Sequence, residues 1–544
     1  MAAEAQTHRS TKGHAATGRP VSDVAPPGDP VGSARGPRWL QWLRRIPPEA
    51  ILVGAGLFIV LAALIAADPN TGSTSSGAPF TDEAFNVVNA RNLVQLGTWS
   101  TDEWNLYLVN LPFSVLEAAT FQLIGVGIVQ ARLIMALCVS LTAMGLVWGL
   151  RGALGRTCSI FAGLAFGFSG LVLFYGRLAF LEDLAVLGLT LGTLVLARDN
   201  RLSLRSGTVS GLCYAVAIGT KPSAVFAVAG ILLAIGVAWG RRDAAVRAWL
   251  AGSVAMVALA GMAWAIAIWL PNRAAVAIDV KIWPPYQWNL TPRQLLDSVA
   301  SYLTSGNDHL FTRLLLPLLG MGLAGLVAIV VLRKRLSVAE ARLAVAAGGW
   351  LAFGFGILMV VSYRPNRYVV PLVPALAILT AIGLHLFLGW LHERLSARPA
   401  TVDEGGPAEP TPRAFGQAGR VLPAAVVALA VLVTVAPGLA GYAIWARSAS
   451  YDTVAIQNQF ADAVPPGSIV AGRDSALFLM RSKAETVIVG LANQGDVYAQ
   501  GARWYLEPSD SPAPNGVPEA TWAARDRVTC AGWRGETVCL YHLR

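Results

Sequence analysis

Charge is scarce in this chain. Only 14% of its 544 residues are Asp, Glu, Lys or Arg, against roughly a quarter in a soluble protein. That shortage excludes a free-standing soluble protein of this length. Cysteine is scarce as well: there are five, and no pair has the spacing of a metal-binding ribbon or finger. His309 is a lone histidine and carries no metal assignment. The strict apolar–polar alternation of a membrane β-barrel is also missing.

What the chain has is apolar residues, 55% of the total, gathered in blocks. Most blocks reach about 20 residues, the length that crosses a bilayer as a helix. The expected fold is therefore an α-helical polytopic membrane protein. Its transmembrane helices fall at residues 50–67, 129–150, 159–175, 184–197, 207–218, 223–239, 248–270, 310–332, 343–361, 369–390 and 421–445. The stretch 110–125, with Pro112 and Glu117, reads as a helix lying along the interface.

The net charge of +10 does not point to nucleic acid. The cations cluster at block ends, as at Arg151 and Arg156, Arg241 and Arg242, and Arg333 to Arg335. That is the orientation signal of cytoplasmic loops. It implies a multi-pass protein of the cell membrane with its N-terminus inside. Residues 1–47 read as a basic, Pro/Gly-rich disordered tail, 48–391 as the membrane body and 392–420 as a cytoplasmic linker. Residues 421–445 form the last span. Residues 446–544 are of ordinary polarity and read as a small extracytoplasmic α/β domain, with strands at 468–471, 486–489 and 537–541 and a helix over 452–463. Cys530 and Cys539 lie in that domain, where a bridge can form outside the cell. Cys138, Cys158 and Cys213 read as small core residues.

Against this apolar background the charges of the external loops stand out. They are Asp82 and Glu83 after the first span, Arg177 with Glu182 and Asp183 after the third, Lys221 before Pro222, and Arg364, Arg367 and Tyr368 before the tenth. Charge beside a bilayer is costly unless used or paired. Asp82 and Glu83 also suit the first turn of a helix by dipole alone, and Lys221 suits an ordinary turn. Arg364 and Arg367 depart from the cytoplasmic bias of cations, so topology does not account for them. Carboxylates and cations on one membrane face fit transfer from a lipid-linked phosphate. The carboxylate takes a proton from an attacking hydroxyl, and the cations hold the phosphate.

Four segments together resemble the polytopic GT-C glycosyltransferases, in the branch of protein O-mannosyltransferases and lipid A aminoarabinose transferases. They are Thr81-Asp82-Glu83-Ala84, Arg177-Leu178-Ala179-Phe180-Leu181-Glu182, Thr220-Lys221-Pro222 and Asn366-Arg367-Tyr368-Val369-Val370-Pro371. The resemblance covers residues 50–390 and does not reach the C-terminal domain. It implies an inverting transferase that uses a polyprenyl-phosphate sugar on the extracytoplasmic face, with no cofactor beyond that donor and no metal. It implies Asp82 as the base and Glu83 and Glu182 as supporting or orienting acids. The adjacent Asp183 is the alternative to Glu182, and spacing from Arg177 favours Glu182. Arg367 and Tyr368 would touch the donor phosphate, with Lys221, Arg364 and Arg177 as further candidates. The first loop lacks a lysine near its acidic motif, and Arg91 is the nearest cation. The rival readings are a flippase or transporter of lipid-linked glycans and a non-catalytic envelope protein.

Overall fold

The computed structural model describes residues 46–69, 82–99, 105–198, 202–282, 291–304, 315–361, 365–396, 414–472, 474–487, 497–499, 501–514, 516–533 and 536–544. Arg364, the aromatic run from Trp283 to Trp288, and His309 lie outside the described residues.

The membrane body is a helical bundle. Its first helix, α1 (Pro48–Ala63), is followed by α2 (Asp82–Leu96) and α3 (Leu111–Ile124). Next comes α4 (Ile128–Gly167), which Gly155 breaks at φ 71°, ψ 175°, a left-handed conformation that glycine enters freely. The two limbs fold back on each other, for Gly163 lies against Val147 and the Ala143 carbonyl. The spans expected at 129–150 and 159–175 are this hairpin plus the short helix α5 (Gly170–Tyr175). The bundle continues through α6 (Leu181–Arg198), α7 (Leu204–Thr220), α8 (Ala224–Trp239) and α9 (Ala244–Trp264). The stretch 271–309, expected as a plain loop, contains two further helices, α10 (Arg273–Ile282) and α11 (Pro292–Thr304). Then follow α12 (Leu316–Val331), α13 (Val338–Val360), a 3-10 turn at Asn366–Leu372, α14 (Val373–Ser396) and α15 (Ala414–Ala446). Among the described residues, five helical stretches are long and apolar enough to cross a membrane: Ile128–Gly167, Ala244–Trp269, Val338–Val360, Asn366–Leu395 and Leu422–Ala446. Pro48–Ala63, Leu111–Ile124, Ala224–Trp239 and Leu316–Val331 are shorter apolar helices.

Helix association in lipid depends on close packing, so small residues mark the contacts. Helices α8 and α13 cross with Gly230 against Gly349: a Cβ on Gly230 would stand 2.2 Å from the Gly349 carbonyl oxygen. Helices α12 and α14 cross in the same way at Gly325 and Gly383.

The ion pairs sort to two ends of the bundle. At one end Glu49 meets Arg151 and Arg156, Asp243 meets Arg342, Arg335 meets Glu393, and Glu340 meets His385. Apart from His385, which lies inside the tenth span, these residues come from the cytoplasmic ends of spans or the loops between them as read from the sequence. The other end carries the sequence-selected acids and, stacked on it, the C-terminal domain. That domain opens with α16 (Asp452–Phe460) and holds a sheet of β1 (Ile469–Ala471), β2 (Glu485–Val487), β3 (Trp504–Pro508), β4 (Asp526–Trp533) and β5 (Glu536–His542). The strand order is β2-β1-β3-β5-β4. β1 runs parallel to both neighbours, while β5 runs antiparallel to β3 and β4. A disulfide joins Cys530 to Cys539 across the β4–β5 pair.

Gly230→Leu is expected to abolish the α8–α13 crossing, because the clash is with backbone that has nowhere to go. Gly56→Ala, with nothing within 4 Å of its added Cβ, is expected to be neutral. Recovery of monodisperse protein in detergent after mild heating checks both.

Candidate functional site

Helix α2 sets the site. Its sequence is only weakly apolar, yet every residue from Glu83 to Asn92 is buried. The membrane body covers one side through Phe113, Phe121 and Met135, and the C-terminal domain the other through Ile456, Phe460, Phe478 and Leu479. Asp82 and Glu83 occupy its first turn, where the helix dipole favours negative charge.

The two acids have separate fates. Glu83, 1% exposed, takes a bidentate grip from Arg132, with Nε to Oε1 at 2.8 Å and Nη2 to Oε2 at 2.7 Å. Its Oε1 also accepts the Ala179 backbone N–H at 2.8 Å. Arg132 Nη1 donates to the carbonyls of Ile65 and Ala67, both at 3.0 Å, and Asn86 donates to the Ala179 carbonyl. Glu83 thus ties the end of α1, the start of α4 and the 177–180 segment to α2. It was expected as a supporting or orienting acid; the structure buries it, fully paired, as a fastening of the segments around the site.

Asp82 points the other way. Its side chain is 39% exposed, and its Oδ2 lies 2.7 Å from Arg367 Nη1. Arg367 Nε lies 3.6 Å from Glu182 Oε1. That same oxygen accepts from Lys221 Nζ at 2.5 Å. Lys221 stands 4.0 Å above the Tyr368 ring, and the Arg367 guanidinium lies 5.1 Å from the Phe180 ring. Two carboxylates and two cations from four sequence-distant segments therefore form one network. Asp82 is its solvent-facing member, since the side chains of Glu182, Lys221 and Arg367 are at most 14% exposed.

Local sequence explains how the cations reach this point. Pro222 disfavours helical backbone at the residue before it. Helix α7 accordingly ends at Thr220, and Lys221 is extended at φ −139°, ψ 105°, which turns its amine toward Glu182. Pro365 precedes the 3-10 turn and Pro371 lies inside it, so Arg367 and Tyr368 sit on a stiff, tight coil ahead of α14. Burial pulls the Lys221 ammonium below the ordinary lysine range, Glu182 opposes that pull and Arg367 adds to it.

Two other sequence-selected residues lie elsewhere. Arg177, expected to touch a phosphate, is wholly buried. It donates to the carbonyls of Leu64 at 3.3 Å and Ala67 at 2.6 Å, and its guanidinium stacks 4.2 Å from the Trp445 ring. It joins the ends of α1 and α15 and is closed to a ligand from outside. Asp183 is buried beside Glu182, and neither of its oxygens has a hydrogen-bond partner among the described residues. Of the two adjacent acids, Glu182 pairs with Lys221 and Arg367, and Asp183 does not. Sequence reasoning did not select Arg132 or Phe180. Arg132 had a readable signal, being a lone cation inside an apolar block. Phe180 had none.

Solved structures share this architecture, two of them forms of one protein. ArnT from Cupriavidus metallidurans bound to undecaprenyl phosphate matches with a TM-score of 0.58 and 16% identity, over 89% of this chain and 97% of that one. The same protein in the apo state matches with a TM-score of 0.59 and 15% identity over the same shares. The chain has the GT-C fold. This places it among multi-pass membrane proteins and matches the architecture read from its four motifs. No family model matches the sequence, and no curated protein does. At such identity the GT-C likeness is one of backbone, so the chemistry of the site has to be argued from its own residues.

Glu83→Gln leaves the buried Arg132 without its counter-charge. Removing one member of a buried pair costs roughly 3–5 kcal/mol, so a large fall in melting temperature is expected. Asp82→Asn, at the exposed edge of the network, is expected to melt within a few degrees of wild type. Thermal unfolding of both variants in nanodiscs makes the comparison.

Proposed function

We propose that this protein is a membrane glycosyltransferase, moving a sugar from a polyprenyl-phosphate donor to an acceptor hydroxyl. The reading rests on the Asp82–Arg367–Glu182–Lys221 network, which sets an open carboxylate beside two fixed cations. The match to a fold that in ArnT holds undecaprenyl phosphate supports it. So does the sorting of the Arg-rich loops to the opposite end of the bundle. The site faces the extracytoplasmic side of the cell membrane, with the N-terminus inside and the C-terminal domain outside.

Asp82 is the base. The acceptor oxygen attacks the anomeric carbon and gives its proton to the Asp82 carboxylate. The bond from that carbon to the phosphate oxygen breaks on the opposite side, so configuration inverts. The leaving polyprenyl phosphate gains a negative charge, which Arg367 and Lys221 are placed to meet. Before the donor arrives Arg367 is engaged by Asp82; the incoming phosphate competes for its guanidinium and frees the base. Charge is conserved across the step: Asp82 becomes neutral as the phosphate becomes a dianion, and both cations stay in use. Glu182 keeps Lys221 and Arg367 at their spacing, and Tyr368 and Phe180 shield them from water. The donor lipid is the only cofactor-like molecule the scheme requires.

Membrane vesicles carrying wild type or Asp82→Asn, supplied with a panel of radiolabelled polyprenyl-phosphate sugars, test the reading. Loss of the base is expected to slow transfer by about 10²–10⁴-fold while retaining polyprenyl-phosphate binding. Equal transfer by the two proteins removes Asp82 from the mechanism. A second outcome concerns pH. The depressed Lys221 ammonium discharges at lower pH than an ordinary lysine, so transfer should decline on the alkaline side. Lys221→Arg is expected to push that alkaline limb upward, as pH profiles of kcat/KM would show.

A further inference from the structure

Among the described residues the C-terminal domain contributes no member of the charge network, yet it grips the element that carries Asp82. Arg91, on α2, is 0% exposed. Its Nε donates to the Met480 carbonyl at 3.1 Å. Its Nη2 reaches the carbonyls of Leu479, Ser482 and Ala484 at 3.2, 2.6 and 2.6 Å, and its Nη1 donates to Asn92 Oδ1 at 2.7 Å. One guanidinium thus spans four backbone acceptors of a single turn in the domain, with three N–H groups shared among them. Only the forked geometry of arginine serves several acceptors at once in this way.

The position of Arg91 on α2 gives this grip its meaning. It follows Asp82 by nine residues. At 100° per residue that is half a turn, so the clamp holds the face opposite to the one presenting Asp82. Glu83 fixes the helix near its start through Arg132. One fixed point leaves a helix free to roll about its axis and to tilt. A second, on another face and about 12 Å further along, removes both freedoms. A helix of 15 residues is marginal by itself, and much of the burial of α2 comes from the same domain.

We infer that the C-terminal domain positions the Asp82-bearing helix, with Arg91 as the positioning residue. The carbonyl cluster of residues 479–484 is the seat into which it locks. The consequence for turnover rests on the glycosyltransferase reading above, whereas the mechanical claim does not. The domain is thereby part of the catalytic unit, and any ligand or partner that shifts the 479–484 turn also shifts the base.

Full-length Arg91→Lys and Arg91→Met in nanodiscs test this, with Arg544→Ala as control. Arg544 pairs with Asp526 at the exposed surface of the same domain and does not touch α2. Amide hydrogen exchange is read first. Faster exchange across residues 82–90 and 479–484 is expected in both Arg91 variants, greater in Met than in Lys, with the spans and the control unchanged. Exchange at 82–90 that stays at the wild-type rate in both variants overturns the inference, whatever the enzyme does. Turnover is read second, with the donor that wild type accepts. A fall in kcat on the order of tenfold is expected for Arg91→Lys, from a sub-ångström misplacement of the base, with donor KM within about twofold. A loosened helix with unchanged kcat also overturns it, because the clamp would then hold the domain and not the site. If wild type transfers no sugar from any donor, the glycosyltransferase reading fails, and the exchange data still decide the clamp. Should Arg91→Met not fold, Arg91→Lys, which keeps the charge and some of the donors, carries the comparison.

Discussion

The buried pair of Glu83 and Arg132 is the constraint from which the site's geometry descends. A charged pair removed from water is tolerable only when its remaining donors and acceptors are also met. Here they are: the carboxylate takes a backbone N–H from Ala179, and the guanidinium reaches two carbonyls at the end of α1. Satisfying this one pair therefore ties the end of α1, the starts of α2 and α4 and the 177–180 segment to one point. Asp82 follows because it is the residue before Glu83. Glu182 and Phe180 follow because they lie just beyond Ala179. The network is the visible result of polar accounting carried out one layer beneath it.

The membrane body solves a different problem with different means. Lipid supplies no hydrophobic drive between helices, so contact depends on close approach. The glycine crossings at Gly230 with Gly349 and at Gly325 with Gly383 supply it. Outside the bilayer the hydrophobic effect returns. There α2 and the C-terminal domain share one apolar cluster with the adjoining end of the bundle, so the domain is continuous with the body and not an appendage on a tether.

Much of this was legible in the sequence where local rules govern. Apolar block length marked the membrane helices, and Pro222 marked the turn that presents Lys221. The strands at Ile469–Ala471, Glu485–Val487 and Glu536–His542 fall where β-branched runs placed them. Burial of charge was not legible, because it belongs to tertiary structure. Nothing local separates Asp82 from Glu83, or says that Arg177 faces Trp445 while Arg367 faces an open carboxylate. The strand Asp526–Trp533 escaped notice because its burial does not alternate. The helices at Arg273–Ile282 and Pro292–Thr304 lay in a stretch whose tryptophans and prolines read as loop. Arg91 looked like a substitute for a missing lysine, and its seat lies almost four hundred positions away in the chain.

The stacking of Arg177 on Trp445 carries a consequence for biogenesis. Arg177 receives its aromatic cover from the last helix of the bundle, and α2 receives its seat from a domain beyond that helix. Both partners are made late in translation, long after Arg177 and α2 themselves. An unfinished polypeptide therefore holds every residue of the charge network before the seat of α2 exists. The grip of the C-terminal domain on that helix waits until synthesis is nearly complete.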